Sequence, residues 1–283
     1  MTFDLSELAI DHFLPLLDER SPECIDGINP DHRRVVRMSA RATLSRIARS
    51  DALYHDLAHT MSVVLAGLDI LRGKQILDGG VTSSDWMHMC VALLCHDVGY
   101  VRGICRQDRP PEYIVSQSGD TVSLSPGASD AALTPYHVDR GKIFAREYLA
   151  TFPDLELDRI TAAIEATRFP CVDKALTKNP EREPSLVQAA DLIGQFGDPN
   201  YLRKANALFH EFVEARIAEE KGYTSAVDLT TRYPTFYWKM IRPSLSAALD
   251  YLAQTARGRT WIAGLSMHVH IEEHREPRSG PQR

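Results

Sequence analysis

Apolar residues recur at intervals of three and four along most of this chain, and that period predicts helices. Over residues 3–19, Leu5, Leu8, Ala9, Phe13, Leu16 and Leu17 share a face, and over 31–49 Val35, Val36, Ala42 and Ile47 do the same. From 55 to 71, Leu57, Val63, Val64, Leu65, Leu68 and Leu71 continue the pattern to an expected stop at Gly73. Gly79-Gly80 marks a connection, and Thr82-Ser83-Ser84-Asp85 offers N-caps for a fourth helix running through Leu94. Helical periodicity returns over 138–149, 155–167, 185–196, 199–221 and 236–256. Between these blocks, residues 98–136 hold eight glycines and prolines and no sustained period, so a long loop is expected there. Inside it, Tyr113-Ile114-Val115 and Thr121-Val122-Ser123-Leu124 flank Ser118-Gly119-Asp120, which predicts a small β-hairpin serving as a flap beside a site. The expected class is all-α: one helical domain over 1–269, its motif-bearing core at about 50–215, and a charged, flexible tail over 270–283.

Composition narrows the function. A chain of 283 residues with 44% hydrophobic positions can bury a substantial core. The net charge of −6 and the lack of a basic run exclude a duplex nucleic-acid partner from the expectations. Five cysteines without C-x-x-C spacing read as buried or free thiols, neither a disulfide framework nor a zinc ribbon. No stretch reads as a secretory signal or a membrane span, so the cytoplasm is the expected compartment.

The chemistry concentrates in 54–97. Tyr54-His55-Asp56-Leu57-Ala58-His59 places two histidines four apart, on one face of a helix, about one turn from each other. His96-Asp97 follows the apolar run Val91-Ala92-Leu93-Leu94-Cys95, and Asp191 lies between Leu186-Val187-Gln188-Ala189-Ala190 and Leu192-Ile193. Ionisable groups in such runs are costly to bury unless ligated or paired. Imidazole and carboxylate together form a ligand set for divalent ions. Asp56 lacks a preceding apolar run and reads as a decoy or an outer partner; His88, His210, His268, His270 and His274 read as ordinary core or surface histidines.

His, then His-Asp, then Asp, on separate helices in this order, resembles the HD-domain superfamily of metal-dependent phosphohydrolases. Within it, the likeness is nearest to class I cyclic-nucleotide phosphodiesterases. Tyr54-His55-Asp56-Leu57-Ala58-His59 is similar to their Tyr-His-Asn-x-x-His, His96-Asp97-Val98 to their His-Asp-Val, and Ala190-Asp191-Leu192 to their Ala-Asp-Leu. Asp198-Pro199 and Phe209-His210-Glu211-Phe212 fall where that family continues in a helix ending Glu-Phe. The resemblance implies that His59, His96, Asp97 and Asp191 bind a first ion, that Asp97 bridges to a second, and that His55 protonates the leaving oxygen. One or two ions of Mg, Mn, Zn or Fe are implied. The chain departs from the pattern after Asp97, where Val98-Gly99-Tyr100-Val101-Arg102-Gly103 replaces the His-Asp-x-x-His-Pro-Gly continuation. No counterpart of the purine-reading glutamine stands near Thr235-Phe236-Tyr237-Trp238-Lys239, and the signatures of the cyclic-di-GMP-cleaving relatives are absent.

Around this set, His137 reads either as a second-metal or substrate-facing residue or as a simple helix start. Glu165 and Thr167 resemble the segment lining the phosphodiesterase pocket, with a solvated face as the other reading of Glu165. Arg102, Arg106 and Arg109 suit phosphate oxygens, or else keep the loop soluble. The expected function is hydrolysis of a small phosphorylated substrate, a monoester or diester with nucleotides among the candidates, by a metal-activated water. A mixed-valent di-iron oxygenase acting on a small polar substrate and a non-catalytic ligand sensor of the same fold are the alternatives.

Overall fold

The computed structural model describes residues 4–25, 27–170, 174–175 and 177–275. Four helices open the chain: α1 (Leu5–Arg20), α2 (Pro30–Ile47), α3 (Leu57–Leu77) and α4 (Ser83–Cys95). Each starts on the cap its sequence offers. The side chains of Asp4, Asn29, Asp56 and Thr82 each accept a backbone N–H of the first turn. At Thr82 the cap is reciprocal: its hydroxyl accepts from Asp85 N at 3.1 Å, and the Asp85 carboxylate accepts from Thr82 N at 3.0 Å. The expected stop at Gly73 is overturned, because α3 continues to Leu77. Glycine is required there for packing: a Cβ would lie 1.9 Å from the carbonyl oxygen of Tyr251.

After α4 the long loop is ordered by one buried cation. Short 3-10 turns at Val98–Tyr100 and Asp130–Tyr136 bracket a hairpin of β1 (Glu112–Ile114) and β2 (Thr121–Ser123), in which Tyr113 pairs with Val122. Arg140, fully buried, donates to the carbonyls of Gly99 (2.7 Å), Val101 (3.0 Å) and Ile114 (2.6 Å) and to both oxygens of Asp108 (3.0 and 2.9 Å). Every partner lies between 99 and 114, so this single side chain ties the start of the loop and the first strand to the helix that follows.

That helix is α5 (His137–Leu149), followed by α6 (Leu157–Ala166), α7 (Glu183–Phe196) and α8 (Tyr201–Glu214). The single helix expected over 199–221 is broken at Arg216, whose φ of 60° is left-handed, and resumes as α9 (Ile217–Lys221). A short α10 (Ala226–Thr231) follows. The block expected as one helix over 236–256 is instead α11 (Tyr233–Phe236), a π-helical turn Tyr237–Ile241, α12 (Arg242–Ser244) and α13 (Ser246–Leu252). Pro243 lies in that stretch and has no N–H to continue the ladder. The last helix, α14 (Ala256–Glu273), was not expected and carries the chain past the predicted tail boundary at 270.

The architecture is all-α with one small hairpin. α3 is central, packed on α7, α13 and α4, while α4 is also covered by α2 and α6. One apolar cluster runs from Ile10 to Val269. Cys24, Cys90, Cys95 and Cys105 are buried free thiols, and Cys171 lies outside the described residues. Among the described residues, no helix is long and apolar enough to cross a membrane.

Candidate metal centre

Two close backbone approaches set the geometry. A Cβ on Gly194 of α7 would lie 2.7 Å from the Cα of Val63 on α3, so these helices meet one turn from His59 and Asp191. A Cβ on Gly99 would lie 1.9 Å from the His137 carbonyl oxygen, so the first turn of α5 rests on the turn that follows His96-Asp97.

Four side-chain atoms converge as a result. His59 Nε2 lies 3.2 Å from Asp97 Oδ2 and 3.5 Å from Asp191 Oδ1. His96 Nε2 lies 3.1 Å and 3.5 Å from the same two oxygens. Both histidines and Asp97 are buried, yet His59 Nε2, His96 Nε2 and Asp97 Oδ2 have no hydrogen-bond partner. Buried polar atoms left unpaired are rare and point to a missing partner. Donors about 2.1 Å from a divalent ion stand about 3.0 Å apart in an octahedron and about 3.4 Å apart in a tetrahedron, so these separations fit one ion. His96 Nδ1 lies 2.6 Å from the Leu93 carbonyl, which accepts its proton, so Nε2 is the ring atom that could face an ion.

Charge tells the same story. Burial raises the carboxyls of Asp97 and Asp191, but the neighbouring imidazoles more than offset this, holding Asp97 well below the usual range and Asp191 at about 2. Burial lowers His59, and Asp191 and Asp97 outweigh it, lifting the imidazole to about 9. Two adjacent ionised carboxylates, Asp97 buried and Asp191 half-buried, therefore demand positive charge between them, from protons on the imidazoles or from a cation.

His55 stands beside this cluster in a different role. Its Nδ1 lies 2.5 Å from Glu211 Oε2, while Glu211 Oε1 accepts the backbone N–H groups of Tyr54 (2.6 Å) and His55 (3.2 Å). Burial lowers the His55 pKa, but the charge and hydrogen bond of Glu211 raise it above the ordinary value. Nδ1 is thus engaged, Nε2 is free, and the ring lines a cavity of about 450 Å³ together with Asp97, Asp191 and His137. His59 also lies within ligand distance of His55 and Asp97.

His137 joins the site from the first turn of α5. Its Nδ1 donates to the Thr134 carbonyl at 2.6 Å, and its Nε2 lies 3.8 Å from Asp97 Oδ1, the carboxylate oxygen facing away from the four-atom cluster. Burial keeps this imidazole below its ordinary pKa, so Nε2 offers a lone pair. Tyr100 is stacked on both His55 (4.6 Å between centroids) and His137 (4.5 Å).

The remaining residues divide. Glu165 is held by Lys142 and Arg168 and does not line the cavity, whereas Thr167, two residues on, does. Arg102 is committed to Asp130, Asp51 and the Ala128 carbonyl, and Arg106 to Glu147; neither they nor Arg109 reach the cavity. The Arg102 guanidinium is held by two carboxylates and a carbonyl, and those of Arg106 and Arg109 by the backbone carbonyls of Glu147, Arg106 and Asp108. No described hairpin residue lines the cavity either. Asp56 is the N-cap of α3 and accepts from His59 N at 2.8 Å. Glu211 and Tyr100 went unread as functional residues. A glutamate on an amphipathic helix face carries no local signal of burial, and Tyr100 gains its role only when α5 folds back.

No curated protein matches the chain. A family model described as Npun_R2479-like matches residues 3–275, nearly the whole sequence, and its description names no activity. By that match, the chain belongs to the Npun_R2479-like family.

Proposed function

We propose that this protein is a metal-dependent hydrolase of phosphoesters. The observation that carries the reading is the convergence of His59 Nε2, His96 Nε2, Asp97 Oδ2 and Asp191 Oδ1 at 3.1 to 3.5 Å, the first three buried without a hydrogen-bond partner, where Asp97 and Asp191 line a cavity. The likeness of this ordered set to the HD superfamily supports the same reading. When bound, a divalent ion (Mg, Mn, Zn or Fe) supplies Lewis acidity to a phosphoryl oxygen and to water. The protein's residues do the rest. His59, His96, Asp97 and Asp191 hold the charge in place, and their burial excludes competing solvent. His55, oriented and kept protonated by Glu211, gives its Nε2 proton to the departing alkoxide. Tyr100 fixes the plane of that imidazole.

Elemental analysis of the purified protein, followed by phosphomonoesterase and phosphodiesterase assays with the ion found, tests the proposal. His96→Ala and Asp97→Ala are expected to lose both metal and hydrolysis. Full activity in a metal-free variant would refute the mechanism. His137 Nε2, 3.8 Å from Asp97 Oδ1, favours a second reading, a di-iron oxygenase, because it offers a nitrogen ligand on the far side of Asp97. Bound iron, a mixed-valent spectroscopic signal and oxygen consumption without phosphate release would support that alternative.

A further inference from the structure

We infer that the site accepts a phosphoester with a single phosphate and a largely apolar ring body, and not a nucleotide polyphosphate or a sugar phosphate. The inference rests on the hydrolase reading above and adds the substrate class. From Asp97 and Asp191 the cavity runs between α7, α8 and the segment after Thr231, and its wall there is aromatic. Phe236 meets Phe169 edge to face at 5.8 Å and Phe196 at 6.0 Å, and Phe196 stacks on Tyr233 at 5.4 Å. Leu192, Leu208 and Leu229 extend the apolar lining. At about 450 Å³ the space suits one drug-sized ligand.

The charges argue in the same direction. Lys221 is the one Lys or Arg among the described lining residues, and it sits exposed at the rim. Arginine forks that would clamp several phosphates are committed elsewhere: Arg102 to Asp130 and Asp51, Arg168 to Glu165 and Asp139. A triphosphate would therefore bring more negative charge than one ion site and one lysine can match. A hydroxyl-rich body would lie mostly against apolar surface and recover only part of its water hydrogen bonds, from groups such as Gln195, Tyr201 and Tyr223.

Calorimetry on the protein as purified, with its own ion, compares methylphosphonate, naphthylmethylphosphonate, naphthylmethanol and ATP, none of which depends on turnover. Burial of about 150 Å² of naphthyl surface corresponds to an affinity gain of roughly 10² to 10³ over methylphosphonate. Phe236→Ala is expected to weaken the naphthyl ligand about tenfold and leave methylphosphonate unchanged, and Phe236→Leu, which keeps the bulk, serves if the alanine variant does not fold. Methylphosphonate or ATP binding as tightly as the naphthyl phosphonate overturns the apolar substrate class and leaves the hydrolase reading standing. Naphthylmethanol binding as tightly as its phosphonate overturns the inference from the other side and removes the hydrolase reading with it.

Discussion

Glu211→Gln separates orientation of the proton donor from metal binding. The carboxylate is 2% exposed and accepts three hydrogen bonds, from Tyr54 N, His55 N and His55 Nδ1. A glutamine keeps Oε1 for the two backbone donors, so the fold survives, but it turns an NH₂ towards His55 Nδ1. The charge-assisted bond is lost, and the neutral imidazole with its lone pair on Nδ1 is favoured. A hydrogen bond to a charged group contributes about 1.5 to 3 kcal/mol, so its loss lowers the His55 pKa and weakens the hold on the proton about 10- to 100-fold. The sign follows from the active form. His55 acts protonated, its pKa is raised in the wild-type protein, and activity falls as pH rises through it. In Glu211→Gln that fall moves to lower pH, so kcat drops about 10- to 100-fold on the alkaline side and approaches wild type on the acid side. The assay is kcat against pH on an aryl phosphoester, with metal content measured on the same samples. An unmoved alkaline limb, or loss of metal comparable to Asp97→Ala, would refute the assigned role.

Other expectations are direct. His55→Ala should retain metal and lose about 10² to 10⁴ in kcat, read by elemental analysis beside the rate. Arg140→Met leaves Asp108 buried without its partner and should destabilise the protein by about 3 to 5 kcal/mol in urea denaturation, with early protease cleavage within 98–136. Gly99→Ala drives a Cβ against the His137 carbonyl, so the melting temperature should fall and any second ion should be lost before the first, visible in metal stoichiometry. Chelation should lower the melting point in step with ion removal, since an ion present at about 100 times its Kd adds about 2.7 kcal/mol; equal melting with and without ion would count against a bound metal.

Much of the N-terminal half was legible because its signals are local. The Thr82-Asp85 cap, the apolar run ahead of His96 and the hairpin around Gly119 each follow from neighbours in sequence. His96, Asp97 and Asp191 stand out in sequence as ionisable residues in or directly after apolar runs, whereas His59 joins them only through the family resemblance. What escaped depended on distant contacts. Gly73 reads as a stop because nothing near it in sequence announces Tyr251, and the arginines read as phosphate ligands because Asp51, Asp130 and Glu147, which hold Arg102 and Arg106, lie far from them in sequence. The C-terminal third was misdivided because the break at Arg216 and the π-helical turn leave the apolar period almost intact.

Tyr100, lying flat between two imidazoles, has a consequence for direction. With the charged-leaning His55 on one face and the neutral-leaning His137 on the other, the phenol ring gives the Asp97 end of the cavity two unlike banks. A bound ester can be protonated from one bank and held by a lone pair from the other, but it cannot exchange them. On the proposed chemistry, only one end-for-end orientation of the substrate is productive, and replacing Tyr100 by a smaller residue should admit the reversed one: occupancy kept, turnover lowered.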